Sequence, residues 1–140
     1  GDVYKRQIIN NIEKVDIQNP DSFSLPTLHD YRDEIEFGQE LLNQVVKEYD
    51  SLKEHLVGRT PNWETDRIAK IDHIVLITSI AELIYFPSIP TKVSLNEYIE
   101  IAKEFSSPSS GKFVNGVIDN IVKDLTNKGL IVKKGRGLIS

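Results

Sequence analysis

Few side chains in these 140 residues have the type and spacing for chemistry. There are three histidines and no cysteine. His29-Asp30 and Asp72-His73 are adjacent pairs, and neighbours on a helix do not face each other. His55 stands alone. None of the three has a companion at metal-ligand spacing, and without cysteine there is no thiolate site and no disulfide framework. No serine sits in a G-x-S-x-G elbow. Gly111-Lys112 resembles the end of a phosphate loop, yet Ser106 stands where G-x-x-x-x-G-K needs its first glycine. The expected chemistry is therefore binding rather than catalysis, with no metal and no cofactor.

The binding candidates cluster around SSGKFVNGVIDNI, residues 109–121. Lys112 stands at an expected helix start, where free amides and an ammonium together suit a phosphate. Phe105 and Phe113 flank the same SSPSSGK turn. Each ring either stacks on an unpaired base or partner side chain, or closes the core at the turn. Asn115 either makes a tertiary hydrogen bond or touches a partner. Gly116 interrupts the helix at a cost of ~1 kcal/mol, which suggests that another backbone packs against it. Asn96 reads as an anchoring polar group at the start of the preceding helix.

The elements that must position these residues are helical. Phe113, Val114, Val117, Ile118 and Ile121 recur at spacings of three and four, which predicts a helix to about Asn127, before Gly129. Ser107 or Ser109 would cap it. Ser94-Leu95-Asn96-Glu97 reads as a capping box with a Val93–Tyr98 staple. It would open a helix whose face is Leu95, Tyr98, Ile99, Ala102 and Phe105. IDHIVLITSIAELIYF, 71–86, is apolar almost all round and predicts a central buried helix closed by Pro87. From Asp30 to Val57 one long helix is expected, with Ile35, Leu42, Tyr49 and Leu56 spaced by seven and Gly58 at its end. A short helix capped at Thr60-Pro61 or Asn62, with Trp63 and Ile68 as anchors, lies between these two. Residues 8–18 form a short amphipathic stretch, and 19–30 read as a loop.

Hydrophobic residues make up 39% and charged residues 27%, the balance of one globular domain. No apolar run reaches the ~18 residues of a membrane span. Gly1–Asn11 has no signal-peptide pattern, so a cytoplasmic protein is expected. Charge is unevenly spread. From Lys112 onward six Lys or Arg face two Asp, a net of +4, so with −4 overall residues 1–111 carry −8. A basic tail over 128–140 is either solubilising or marks an anionic partner near that end. DVYKRQ, residues 2–7, is also one reading frame of a sequencing-library adapter. Residues 1–7 are accordingly expected to be non-native, 8–29 a remnant helix and loop, and 30–127 the helical domain.

Two segments together resemble a known family. SLNEYIEIAK, 94–103, followed by SGKFVNGVI, 110–118, is similar to the signature of the bacterial transcription antitermination factor NusB family. Val93, Asn96, Glu97, Glu100, Ala102, Lys103 and Phe105 match, and then Ser110, Lys112, Phe113, Val114, Asn115, Gly116, Val117 and Asp119. Upstream, Trp63, Arg67, Ile68, Leu76, Ala81, Glu82 and Leu83 match a second family segment. DYRDEIEFGQELL resembles the helix before it. FPSIPTKVSLNEYIEIAK resembles the longer variants of the Bacteroidetes.

The resemblance implies an all-α fold of two small helical bundles. It implies a non-enzymatic adaptor that binds boxA RNA together with NusE, a small-subunit ribosomal protein, in the transcription elongation complex that makes ribosomal RNA. It places Asp72 at a position that is often acidic in the partner-facing surface, where it would meet a basic patch on NusE. An ordinary helix N-terminal charge is the alternative there. Two departures stand out. Nothing in residues 1–29 matches the family's basic N-terminal helix, so a bundle lacking its first helices is expected. Pro108 and Ser109 replace acidic residues before the S-x-K-F motif. Two other readings remain open: the N-terminal RNA-binding domain of a ribosomal RNA cytosine methyltransferase, which needs a following Rossmann-like domain, and a generic helical interaction module.

Overall fold

The computed structural model describes residues 5, 6, 9, 32–59, 67–105 and 108–139. Among these it is all-α. α1 is Arg32–Lys47, α2 Tyr49–Glu54, α3 Arg67–Tyr85, α4 Thr91–Phe105 and α5 Pro108–Asn127, followed by a 3-10 turn at Gly135–Leu138. The readings made for 10–31 and for the cap and Trp63 within 60–66 lie outside the described residues. None of the described helices is long and apolar enough to cross a membrane.

α3 is the hub. Val75, Leu76, Ile77, Ile80, Ala81 and Leu83 are all buried, and α1, α2, α4 and α5 all pack on this one helix. Burying each large aliphatic side chain stabilises by about 1.5–3 kcal/mol. Its buried hydroxyls turn back on the helix itself. Thr78 Oγ1 donates to the Ile74 carbonyl at 2.7 Å and Ser79 Oγ to the Leu76 carbonyl at 2.8 Å. The all-round apolar pattern of 71–86 thus gives the buried helix it predicts, one turn longer at its start.

The seven-residue spacing from Ile35 to Leu56 also holds as a core-facing seam, with Leu42 and Leu56 buried and Ile35 and Tyr49 partly so, but the helix is not continuous. Glu48, at φ −105° and ψ 18°, steps out of helical geometry between α1 and α2. The hydrogen bonds run on across the step, from the Glu48 amide to Gln44 O at 2.9 Å and from the Leu52 amide to Glu48 O at 2.8 Å. Gly58, at φ +79°, ends this unit as expected. At the end of α5, Gly129 is at φ +73°. The Leu130 amide reaches Leu125 O at 2.9 Å and the Gly129 amide reaches Thr126 O at 3.0 Å, the paired bonds of a Schellman stop.

The capping box is a correction. α4 begins at Thr91, directly after Pro90, whose carbonyl accepts from the Val93 amide at 3.1 Å and the Ser94 amide at 3.2 Å. Pro90 has already fixed its own φ for a helix start, so the helix opens one turn before Ser94. Ser94 is then inside the helix, fully buried, and cannot cap it. Val93 is exposed while Tyr98 is fully buried, so they form no staple.

The basic tail is not loose. Ile131 and Gly137 are buried, and Lys134, extended at φ −139° and ψ 152°, donates its amide to Pro87 O at 3.0 Å. Lys133 Nζ donates to Leu83 O at 3.1 Å and to Phe86 O at 3.2 Å, capping the carbonyl end of α3.

α2 and α3 are clamped by Tyr49 and His73, whose hydroxyl and Nε2 lie 3.0 Å apart. Lys53 Nζ sits 5.4 Å from the Tyr49 ring centroid. Burial, and then the Lys53 charge, hold the His73 pKa below its ordinary value. The unfolded chain therefore takes up a proton near pH 6.5 that the folded chain refuses, so stability is present above that pH and lost as pH falls. Urea midpoints are expected to drop between about pH 7 and 5.5, and to drop less in His73→Asn. Identical pH slopes in the two proteins would remove His73 from this account.

Candidate nucleic-acid interface

α5 buries one face and presents the other. Val114, Val117, Ile118, Ile121 and Leu125 point inward, as their spacing dictates. Lys112, Asn115, Gly116, Asp119, Asn120 and Lys123 are left exposed. Lys112 and Lys123 are eleven residues apart, about three turns, so they stand on one stripe roughly 16 Å apart. Phe113 does not share the buried stripe: it is 37% exposed. Beside Lys112, part of this large apolar ring is therefore left open to solvent.

The two phenylalanines of the turn separate here. Phe105, at the end of α4, is half-buried and packs against the core. Phe113 turns outward. α5 starts at Pro108, which puts Ser109 inside the helix and rules it out as the cap. Lys112 follows the first turn, within reach of the field of its free amides.

Gly116 is a second correction. An added Cβ there would meet no described atom within 4 Å. Packing among the described residues therefore does not call for a glycine there. At Gly111, by contrast, a Cβ would stand 2.6 Å from Lys103 Cγ, so the lysine stem would have to shift. The Lys103 stem lies across Gly111, and its amine stays in solvent, 3.3 Å from Glu100 Oε1.

Asn96 and Asp72 do not join this face. Asn96 is exposed, but it lies nine residues before Phe105 on α4, about 13 Å away along the axis. Asp72 is 4% exposed on α3 and is engaged in interactions within the chain. A carboxylate this buried offers little to a partner's basic patch, which differs from the expectation of a NusE contact. Lysine at that position would test folding rather than association.

Sequence reasoning missed a polar cluster inside the bundle. Glu82, fully buried on α3, pairs with Lys5 Nζ at 2.8 Å, and Lys5 also binds Glu97 of α4. Burial works to lower the Lys5 pKa, but Glu82 and Glu97 outweigh it and leave it raised. The neighbouring Tyr98 hydroxyl is pushed well above its ordinary value by burial and then by the Glu82 charge. The available signal was a carboxylate, Glu82, in the middle of the apolar run 71–86, ten residues after Asp72 at its start. Among the described residues no group of three or more His, Asp or Glu could hold a metal ion.

The sequence model of the NusB family matches residues 7–123. The transcription antitermination protein NusB of Salinibacter ruber is 45% identical over 104 residues, 74% of this chain and 65% of that protein. That of Chloroherpeton thalassium is 40% identical over 99 residues, 71% of this chain and 47% of that protein. That of Methylacidiphilum infernorum is 39% identical over 90 residues, 64% of this chain and 63% of that protein. The chain thus spans between about half and two thirds of the length of these curated relatives.

The burial difference at the turn makes a stability test. Phe113→Ala is expected to lower the melting temperature by a few degrees, and Phe105→Ala by clearly more, since a fully core Phe→Ala costs ~3–5 kcal/mol. A drop of more than about ten degrees for Phe113→Ala would make that ring core.

Proposed function

The chain belongs to the NusB family, and from that premise we propose that it is a transcription antitermination factor. In this reading it binds the boxA segment of nascent RNA together with NusE, and so supports processive transcription of ribosomal RNA by the elongation complex. It acts as an adaptor, not as a catalyst. One observation carries the reading. The signature residues that the core does not use, Lys112, Phe113 and Asn115, stand together on the exposed face of α5.

The chemistry of that face suits single-stranded RNA. The Lys112 ammonium and the amino end of α5 both favour a phosphate. The Phe113 ring provides a stacking platform of the kind worth ~1–3 kcal/mol per base. Asn115 carries a donor and an acceptor for a base edge or a ribose hydroxyl. Gly116 leaves open room for a partner's backbone where any side chain would stand in the way. Asn96, Phe105 and Asp72 have supporting or structural parts in this scheme, since they are remote, half-buried and buried respectively.

Electrostatics sets the affinity. Residues 1–111 carry −8, which opposes approach of a polyanion and confines it to the basic segment 112–140. RNA binding by this chain alone is therefore weak, and NusE strengthens it. Fluorescence anisotropy with a boxA oligoribonucleotide, with and without NusE and over a range of salt, tests this. The expected result is binding weaker than micromolar alone, tighter with NusE, with a log–log salt slope of about −0.7 per phosphate contacted. Phe113→Ala should weaken binding by the ~1–3 kcal/mol of a lost stack. No binding to boxA RNA in either condition would contradict the reading.

A further inference from the structure

The family match ends at residue 123, and the chain then builds something specific. After the Gly129 stop it reaches the C-terminal end of α3, at Leu83, Phe86 and Pro87, and closes in the 135–138 turn. The Lys134 amide donates to Pro87 O at 3.0 Å, and the Gly137 amide to Lys134 O at 3.0 Å. Two glycines make this docking possible. Gly135 is at φ +55°, a conformation side chains resist. A Cβ on Gly137 would lie 1.9 Å from the Pro87 carbonyl oxygen, so no other residue fits there without moving the turn.

The cations of this segment divide into two sets. Lys133 is committed to the carbonyls of Leu83 and Phe86. Lys128 pairs with Asp124 at 3.0 Å, and Asp124 also holds Arg59 at 2.8 Å. Lys134 and Arg136 are exposed and make no ion pair with any described residue. They stand on either side of Gly135, on a turn whose position is fixed by backbone hydrogen bonds. Ordering them for a ligand therefore costs less than ordering a loose tail would.

We propose that the docked 135–138 turn is a second phosphate-binding element, in which Lys134 and Arg136 contact the RNA backbone away from the Lys112–Asn115 face. α5 leads from one to the other. Its start carries Lys112, Lys123 stands on the same stripe, and its end passes directly into the segment that places the turn. The RNA leaves the acidic body by following these cations. The contact is to phosphate, so it adds affinity without reading sequence. This inference rests on the RNA-binding reading above.

The test is a salt titration of the full chain against a boxA oligoribonucleotide and a scrambled one of equal length, with wild type and Lys134→Gln/Arg136→Gln. The double variant should bind both RNAs more weakly by the same factor, and its log–log slope should be shallower by about 1.4, two contacts at 0.7 each. Its melting temperature should match wild type, because both side chains are exposed. Gly137→Ala keeps both charges but displaces the turn, and it too should lose affinity. Wild-type RNA binding with an unchanged slope in the double variant overturns this proposal and leaves the boxA reading standing. So does a loss confined to NusE binding, which would make the turn and its exposed Leu138 and Ile139 a protein contact. Full affinity in Gly137→Ala would show that charge alone, not the docked turn, is responsible. No RNA binding by wild type in any condition overturns both.

Discussion

A carboxylate with no access to water stands in the middle of this bundle, and the packing is arranged around it. Glu82 lies on α3, the helix that all the others touch. An ion removed from water costs several kcal/mol unless a counter-charge meets it. Lys5 supplies that charge, and Glu97 shares it, so α3 and α4 are tied through one ammonium. Lys5 falls within the seven residues expected to be foreign. The site demands a cation of suitable reach, whatever the origin of the residue that provides it. Removing such a partner typically costs 3–5 kcal/mol, a large share of the ~5–15 kcal/mol of a domain's stability.

The same helix decides what is left for function. Because α3 absorbs the inner faces of α1, α2, α4 and α5, each of these keeps one outward stripe. On α5 that stripe carries Lys112, Asn115, Gly116 and Lys123, with Phe113 beside it. At the far end of α3, Phe86 and Pro87 give the chain's last residues a place to dock, with the Lys133 amine closing the helix. Burial lowers the pKa of that amine, and Glu82 partly offsets the effect. Core charge, helix end and basic turn are therefore connected through one element.

What could be read from the sequence was whatever depends on local pattern. The run 71–86, the α5 stripe, and the glycine stops at 58 and 129 follow from side-chain periodicity and from φ preferences, and the structure has them. The NusB resemblance rested on the joint motif of 94–103 and 110–118. What could not be read depends on neighbours distant in sequence. Ser94 has the letters of a cap, but Pro90 opens the helix first. Gly116 and Gly111 look alike as letters, and only the fold shows that Lys103 crosses the second. Asp72 looks like a helix-end charge until its burial is seen. The C-terminal tail shows only its basic charge in the sequence, because Pro87, to which it docks, lies some fifty residues earlier.

The central claim is that the bundle keeps its inner faces for stability and gives the outer face of α5 to RNA. Backbone amide shifts of the isotopically labelled full chain, followed by NMR during titration with a boxA oligoribonucleotide, test it most directly. The account predicts that the largest changes fall at Lys112, Phe113, Asn115 and Gly116, while Asp72 and the buried residues of α3 stay still. Changes centred on α1 and α2, with the exposed face of α5 unmoved, would contradict it.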